Sequence, residues 1–195
     1  MLVSLATSVL LFVGLAQCET PPDFTPEAVA RLDVIFGTKA VSPPGTSLTK
    51  AETSKQPTIG TSDTVLNGTY LWLMIDLDVP ASFTNPSSGP RRTNLHAMIT
   101  GFKSTGQTTT AADGGAVINT LSSTATGPVK YVGPAPPAEN PPHAHRYVEL
   151  LFETNATFTV PQSYVQPTLG FDLPAFVKKT GLAPPIRGNW FSVTG

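Results

Sequence analysis

"YVGPAPPAENPPHAHRYVELLF", residues 131–152, joins a proline-rich loop to an apolar strand. Five prolines fall within the nine residues from Pro134 to Pro142. Because proline fixes φ and lacks an N–H donor, this loop is stiff and suits either the fixed wall of a pocket or a rigid connector. In the strand that follows, His145 and Tyr147 are two residues apart and therefore share a face. The stretch predicts an imidazole and a phenol side by side next to a rigid loop.

A second stretch, "YLWLMIDLDVP" (residues 70–80), ends an apolar strand with two aspartates and a proline. Asp76 and Asp78 would point the same way if the strand continued to Pro80. Close carboxylates repel each other. Either they share one proton, or one of them turns aside to accept backbone N–H groups in the turn that Pro80 starts.

A third apolar segment, "NLHAMIT" (residues 94–100), carries His96 near its centre. A single histidine on such a strand is more often a satisfied core residue than a catalyst. His96 and His145 on neighbouring strands, together with an aspartate, nevertheless make metal binding an alternative. No His-x-His or His-x-x-x-His pair lies near the two aspartates, and the one His-x-His step, His143 and His145, lies in the proline-rich turn ahead of a strand, so zinc has weak support. The sequence has no G-x-S-x-G motif for a serine hydrolase.

Short apolar runs bounded by turn-forming residues predict a mainly β protein, with strands at 70–76, 94–100 and 147–153. Helices are expected at the two margins. One would run over Thr25–Phe36 with its N-cap at Thr25, and the other over residues 171–182, with Pro174 in its first turn and Gly181 as its stop. The Gly-, Ser- and Thr-rich residues 103–130 are predicted to form a long surface excursion.

The composition favours one loop-rich, exported domain. The chain has 195 residues, is 13% charged and carries a formal net charge of −1, which argues against a nucleic-acid partner, while 20 prolines and 16 glycines favour a mostly β fold. Residues 1–18, apolar and ending in the small-x-small pair Ala16 and Cys18, are predicted to be a signal peptide. Residues 19–195 would then form a single secreted domain without integral membrane association. Sequons at Asn67 and Asn155 would be glycosylated in a eukaryotic host.

Three segments together resemble the phosphatidylethanolamine-binding protein family. "DLDVP" (76–80) resembles that family's D-P-D-A-P element, and "NLHAMITGF" (94–102) resembles its L-H-W strand. "YVGPAPPAENPPHAHRYVELLF" resembles its Y-x-G-P-x-P-P…H-R-Y-V-x-L-L-F element. The C-terminal "FDLPAFVKKTGLAPPIRGNWFSV" (171–193) is similar to the closing helix and strand of the family. The resemblance covers about residues 60–195.

The resemblance implies an antiparallel β-sandwich core with a few peripheral helices and a small anion pocket that needs no cofactor or metal. The ligand-binding residues would be Asp76, His96, Pro137, His145 and Tyr147. The rim of the pocket would be formed by Asp78, Pro80, Gly133 and Pro134. The chain departs from the family pattern at Leu77, Val79 and Ala97. The last of these replaces a bulky tryptophan, which leaves the size of the ligand open.

These expectations favour a secreted, non-enzymatic protein that binds phosphate or phospholipid head groups. The resemblance also implies an alternative, since members of the family inhibit serine carboxypeptidases and protein kinases, and export favours a protease as the partner. Inhibition would use surface segments such as residues 20–64 or 103–130. A third function, hydrolysis with Asp76 and His96 as acid and base, has the least support because no nucleophile, metal motif or cofactor loop accompanies the pair.

Overall fold

Strands supply nearly all of the regular structure. The computed structural model describes residues 19–195, and within that range it has ten β-strands, one α-helix and one 3₁₀ turn at Gln162–Tyr164. The helix, α1, spans Leu173–Thr180. The strands are β1 (Asp33–Phe36), β2 (Lys39–Ala40), β3 (Thr46–Leu48), β4 (Thr58–Thr61), β5 (Thr69–Val79), β6 (Arg92–Thr110), β7 (Val117–Ser122), β8 (Pro128–Val129), β9 (Ala144–Thr154) and β10 (Arg187–Thr194).

One long strand, β6, belongs to both halves of a curled sheet. The strand order is β2-β1-β4-β7-β6-β5-β9-β10-β3, and β8 lies beside β6. The first part of β6 pairs with β5, and its last part pairs with β7. Gly101, with φ of +76°, lies close to this change of partner, in a backbone conformation that side chains rarely adopt. Of the pairings between described strands only β3 with β10 is parallel. The predicted mainly β, antiparallel core is confirmed.

The central strand β5 is buried on both faces. Tyr70, Trp72 and Met74 pack into the main core, which also contains side chains from β1, β4, β9 and β10. The alternate residues pack into a second core, which α1 covers: Leu71, Leu73 and Ile75. A strand buried on both sides needs apolar residues at every position, which explains the uninterrupted apolar run before Asp76.

The three predicted strands and the C-terminal helix are confirmed. The predicted strand segments lie within β5, β6 and β9, each of which is longer than expected. The side chain of Asp172 caps α1 by accepting the N–H of Ala175 at 2.9 Å, and Pro174 lies in the first turn. Gly181 ends the helix in the left-handed conformation, with φ of 68°, and its N–H is donated to the carbonyl of Val177.

The predicted N-terminal helix is wrong. Asp33–Phe36 forms β1, which pairs with β4 so that Val34 lies opposite Ile59. All four residues of β1 are buried, because one face packs into the main core and Ile35 packs on the other side against Ala111. A helix would bury only one stripe of this segment, whereas a strand paired with β4 buries both faces. The strand is therefore more stable here than the helix that the local pattern favours.

The predicted excursion at residues 103–130 does lie mostly at the surface, but it is regular where an irregular segment was expected. β6 continues to Thr110 and β7 returns beside it, with Thr110 opposite Val117. Threonine is β-branched and favours strands, so a segment that looks polar and irregular forms a hairpin. Ile118 and Leu121 of β7 are buried and attach this hairpin to the core.

The prediction of export concerns the signal peptide, the two sequons and membrane-spanning segments. The expected signal peptide, residues 1–18, lies outside the described residues. Asn67 and Asn155, the two sequon asparagines, are both exposed. Across residues 19–195, no helix is long and apolar enough to cross a membrane.

Candidate functional site

A cavity of about 180 Å³ lies where β5 ends and the loop at 131–143 crosses β6 and β9. This volume is smaller than the several hundred Å³ typical of sites for drug-sized ligands, so it suits a small chemical group. All five residues predicted to bind a ligand line it, although they come from three strands and a loop. The lining residues are Asp76, Val79, Phe83, Asn94, His96, Val132, Gly133, Ala135, Pro136, Pro137, His145 and Tyr147.

Asp76 connects the polar groups of this cavity. Its Oδ2 lies 2.8 Å from Nδ1 of His145 and 4.0 Å from Nε2 of His96. Its Oδ1 accepts the backbone N–H of Asp78 at 2.7 Å. Asp76, His96 and His145 are all buried, with 2%, 7% and 1% of their surface exposed. The carboxylate is therefore held in place from two sides, and it orients the imidazole of His145.

Hydrogen bonding fixes the tautomer of His96. Its Nδ1 lies 2.8 Å from the carbonyl oxygen of Val132, which can only accept a hydrogen bond, so Nδ1 carries the proton. In the neutral imidazole, Nε2 then carries a lone pair. Burial lowers the pKa of His96, and the opposing effects of the Val132 carbonyl and of Asp76 do not outweigh it. His96 thus favours its neutral form and offers an acceptor.

Tyr147 contributes the free hydroxyl of the site. Its ring is stacked on Phe191, with centroids 5.3 Å apart, and meets the ring of His96 edge-on at 5.3 Å. The residue is fully buried, and its Oη makes no hydrogen bond of normal geometry within residues 19–195. Burial, followed by the nearby charge of Asp76 and a weak hydrogen bond to its carboxylate, raises the pKa of Tyr147, so the phenol keeps its proton. An unpaired buried hydroxyl costs about 1–3 kcal/mol, and a ligand that pairs with it would remove this cost.

The two aspartates of the opening strand have different roles. Asp78 points away from the cavity and accepts hydrogen bonds from Nε, Nη2 and the backbone N–H of Arg146 at 2.8–2.9 Å. Burial alone would raise the pKa of Asp78, but the bonds from Arg146 outweigh it and lower the pKa. Of the two alternatives, the structure has one carboxylate turned aside, and it binds strand β9 instead of the turn at Pro80.

The predicted rim is only partly at the cavity. Gly133 lines it, and a Cβ at this position would lie 2.9 Å from the carbonyl oxygen of Thr53, so a side chain does not fit without a shift. Asp78, Pro80 and Pro134 are buried and are not among the described residues that line the cavity.

Sequence reasoning missed Glu139 and Arg91. Glu139 Oε1 lies 3.1 Å from Nε2 of His145, and its two oxygens accept hydrogen bonds from Arg91 at 2.7 and 2.8 Å. Both ring nitrogens of His145 thus face carboxylates, which only accept, so this geometry requires the doubly protonated imidazolium. Burial lowers the pKa of His145, but Asp76 and Glu139 outweigh it and raise the pKa. The available signal was that Glu139 is the one acidic residue in "YVGPAPPAENPPHAHRY".

The comparison with protein families agrees with this geometry. The model of the family described as phosphatidylethanolamine-binding protein matches residues 37–191. The chain belongs to the phosphatidylethanolamine-binding protein (PEBP) family. This confirms the resemblance inferred from the three sequence segments.

Relatives of this PEBP chain include fungal proteins and solved structures. Phomoidride biosynthesis cluster protein N of Talaromyces stipitatus is 29% identical over 200 residues, which cover 93% of each chain. A carboxypeptidase Y inhibitor, solved in complex with its cognate proteinase, has a TM-score of 0.60 and 17% identity over 86% of this chain and 84% of its own. A PEBP from Plasmodium vivax has a TM-score of 0.51 and 19% identity over 83% of each chain. At these identities, the solved structures establish the fold.

Beside the carboxamide of Asn94, the PEBP site presents groups of different character to its small cavity. Tyr147 offers a donor, neutral His96 offers an acceptor, and Asp76 offers negative charge, whereas His145 is fully engaged by Asp76 and Glu139. In the described part of the chain, no group of three or more His, Cys, Asp or Glu side chains is arranged to hold a metal ion.

Proposed function

We propose that this PEBP-family protein is a secreted, non-enzymatic binding protein whose cavity takes phosphate or a phospholipid head group. The observation that carries the proposal is the hydroxyl of Tyr147, which is fully buried beside the cavity and makes no hydrogen bond of normal geometry within residues 19–195, although Asp76 lies close to it. Buried polar groups are nearly always paired, so an orphaned hydroxyl at a cavity favours a ligand that accepts its hydrogen bond. Phosphate oxygens are such acceptors.

The other polar groups suit a head group that carries a proton or a positive charge as well. Nε2 of neutral His96 can take up a proton when an acidic ligand binds. The protonated imidazole then donates a charge-assisted hydrogen bond from Nε2 to the anion. Asp76 adds negative charge on the same side, which favours an ammonium group near the phosphate. The size of the cavity limits the contact to the head of a lipid.

Calorimetric titration with phosphoethanolamine tests this proposal. Tyr147→Phe removes only the hydroxyl, and we expect it to weaken binding about tenfold because a hydrogen bond to a charged group contributes about 1.5–3 kcal/mol. Tyr164→Phe is the matched control, since that ring packs in the second core and should leave the affinity unchanged. If Tyr147→Phe binds as tightly as wild type, the proposed role of the cavity is wrong.

A second candidate function is inhibition of a serine carboxypeptidase or another protease. It is favoured by the shared fold of the carboxypeptidase Y inhibitor that was solved with its proteinase. Such inhibition would use the surface of residues 20–64 or the hairpin of β6 and β7. Since residues 20–64 contain β1 to β4, deletion would remove part of the sheet, and a surface substitution is the better test.

A peptidase assay separates the two functions. Val29 is 76% exposed, so Val29→Asp changes the N-terminal surface without touching the core. If the protein is an inhibitor that acts through this surface, Val29→Asp should weaken inhibition of a serine carboxypeptidase, while Tyr147→Phe should not. If titration of wild-type protein against the peptidase gives no inhibition, this candidate is rejected.

Hydrolysis by Asp76 and His96 has less support than binding. Asp76 is held by His145 and by the backbone of Asp78, and its oxygen lies 4.0 Å from His96, beyond hydrogen-bond reach.

A further inference from the structure

The carboxylate of Glu139 accepts a hydrogen bond from the imidazole of His145, the group that an anionic ligand would be expected to contact. It lies on the loop between β8 and β9, six residues before His145. Only 2% of its side chain is exposed. Pro136 and Pro137 precede it, and Pro141 and Pro142 follow it, so the loop that carries it has little freedom to withdraw.

The donors around Glu139 form a complete anion site. Arg91 donates from Nη1 and Nη2 in a two-pronged arrangement at 2.8 and 2.7 Å, and His145 donates from Nε2 at 3.1 Å. Arg91 is itself held by the carbonyl of Asp78 at 2.9 Å. The same donors in the same geometry bind carboxylates and phosphates generally. Hydrogen bonds from Arg91, opposed by burial, lower the pKa of Glu139 to about 2, so this carboxylate stays charged.

As a result, His145 has no free N–H for a ligand. Nδ1 is bonded to Asp76 and Nε2 to Glu139. A small anion in the cavity meets the hydroxyl of Tyr147 and the ring of His96, but it meets the imidazolium of His145 only after Glu139 has left.

We propose that Glu139 is a specificity-determining residue, an internal carboxylate that occupies the donors of His145 and Arg91 and so makes the cavity bind free phosphate more weakly than a head group that also carries an ammonium. The inference rests on the proposed binding function of the same cavity. Removing Glu139 frees one N–H of His145 and the guanidinium of Arg91 while leaving Tyr147, His96 and Asp76 in place. The change converts a site with balanced charge into one with excess positive charge.

Titration with inorganic phosphate tests this role. Glu139→Ala is expected to bind phosphate at least about tenfold more tightly than wild type at one fixed pH, because three charge-assisted hydrogen-bond donors, two of Arg91 and one of His145, become available. Glu139→Gln removes the charge at nearly constant size and should show a smaller gain. The matched control is Glu153→Ala, which removes an exposed carboxylate of β9 and should leave phosphate affinity unchanged. The double variant Glu139→Ala with Arg91→Ala should lose much of the gain.

The outcomes distinguish this inference from the proposed function. Equal or weaker phosphate binding by Glu139→Ala and Glu139→Gln, in protein with a wild-type circular dichroism spectrum, overturns the role of Glu139. If one variant does not fold, the other decides. Should Tyr147→Phe leave phosphoethanolamine binding intact while Glu139→Ala still gains phosphate affinity, the proposed function fails and the specificity role stands.

Discussion

Replacing Glu149 with glutamine is expected to remove much of the pH dependence of stability between pH 5 and pH 7.5. Glu149 lies on β9 in the core and is completely buried. Its Oε2 accepts the indole N–H of Trp72 at 3.0 Å, whereas its Oε1 has no partner in the described part of the chain. Burial raises the pKa of Glu149 to about 8, and the hydrogen bond from Trp72 opposes this only in part.

The size of the pH effect on the unfolding free energy follows from the difference between the pKa of Glu149 in the folded protein and in the unfolded chain. The pKa is 4.5 in the unfolded chain and about 8 in the folded protein, so stability is greatest below pH 4.5 and is lost as the pH rises toward 8. Between these limits the wild type should lose about 1.4 kcal/mol of unfolding free energy per pH unit from this group. At pH 7 the accumulated loss is about 3 kcal/mol.

Glutamine keeps the acceptor for Trp72 but does not titrate. Its NH₂ group brings one more hydrogen-bond donor into the core than the single O–H of the neutral acid, and this cost does not change with pH. The diagnostic quantity is therefore the slope of the stability difference against pH. From pH 5 to pH 7 the melting temperature of Glu149→Gln should rise relative to wild type by roughly 5 to 10 °C.

Urea or thermal unfolding over this pH range provides the assay, because each measurement compares two proteins under the same buffer. Glu153→Gln, at an exposed position of the same strand, is the control and should show a difference within about 0.5 kcal/mol at every pH. A constant gap between wild type and Glu149→Gln from pH 5 to pH 7.5 would refute the argument, since it would mean that the folded protein already holds an ionised Glu149.

Three further outcomes are expected. Asp78→Asn should destabilise the fold by about 2 kcal/mol in urea unfolding, because Arg146 loses a charged partner but is still 40% exposed to water. Phosphoethanolamine affinity should weaken several-fold from mildly acidic to alkaline pH, since the imidazolium of His145, whose pKa is raised, loses its positive charge as pH rises; calorimetry that shows a flat profile would contradict this. Protein secreted from a eukaryotic host should lose mass on treatment with an N-glycosidase, and the double variant Asn67→Gln with Asn155→Gln should not; an unchanged wild-type mass would count against glycosylation.

The sequence predicted the fold well where burial leaves a pattern. The apolar runs in β5 and β9 and the helix stop at Gly181 are local signals, and they indicated the right elements. The errors at β1 and at the hairpin of β6 and β7 have a common cause. In both segments the deciding interaction is pairing with a strand distant in sequence, such as Val34 with Ile59, and a local pattern carries no information about it.

Part of the site was also predictable from the sequence. Asp76, His96, His145 and Tyr147 could be placed together because the family resemblance specified them, and strand periodicity put His145 and Tyr147 on one face. Glu139 could not be placed in this way. Its role depends on the path of a proline-rich loop, whose conformation no periodicity predicts, and on Arg91, which lies 48 residues earlier in the chain.

The site and the main core are parts of one packed unit. On β9, His145, Tyr147 and Leu151 lie on the same face; Tyr147 and Leu151 belong to the main core, and the ring of Tyr147 is stacked between Phe191 and the imidazole of His145. The aromatic ring stabilises the fold, and only its hydroxyl belongs to the cavity. Substitutions that remove the ring therefore disturb folding and binding together, whereas Tyr147→Phe removes an unpaired hydroxyl and keeps the packing. This variant should be at least as stable as wild type and yet bind more weakly, because the hydroxyl is a cost to the empty protein and a gain to the complex.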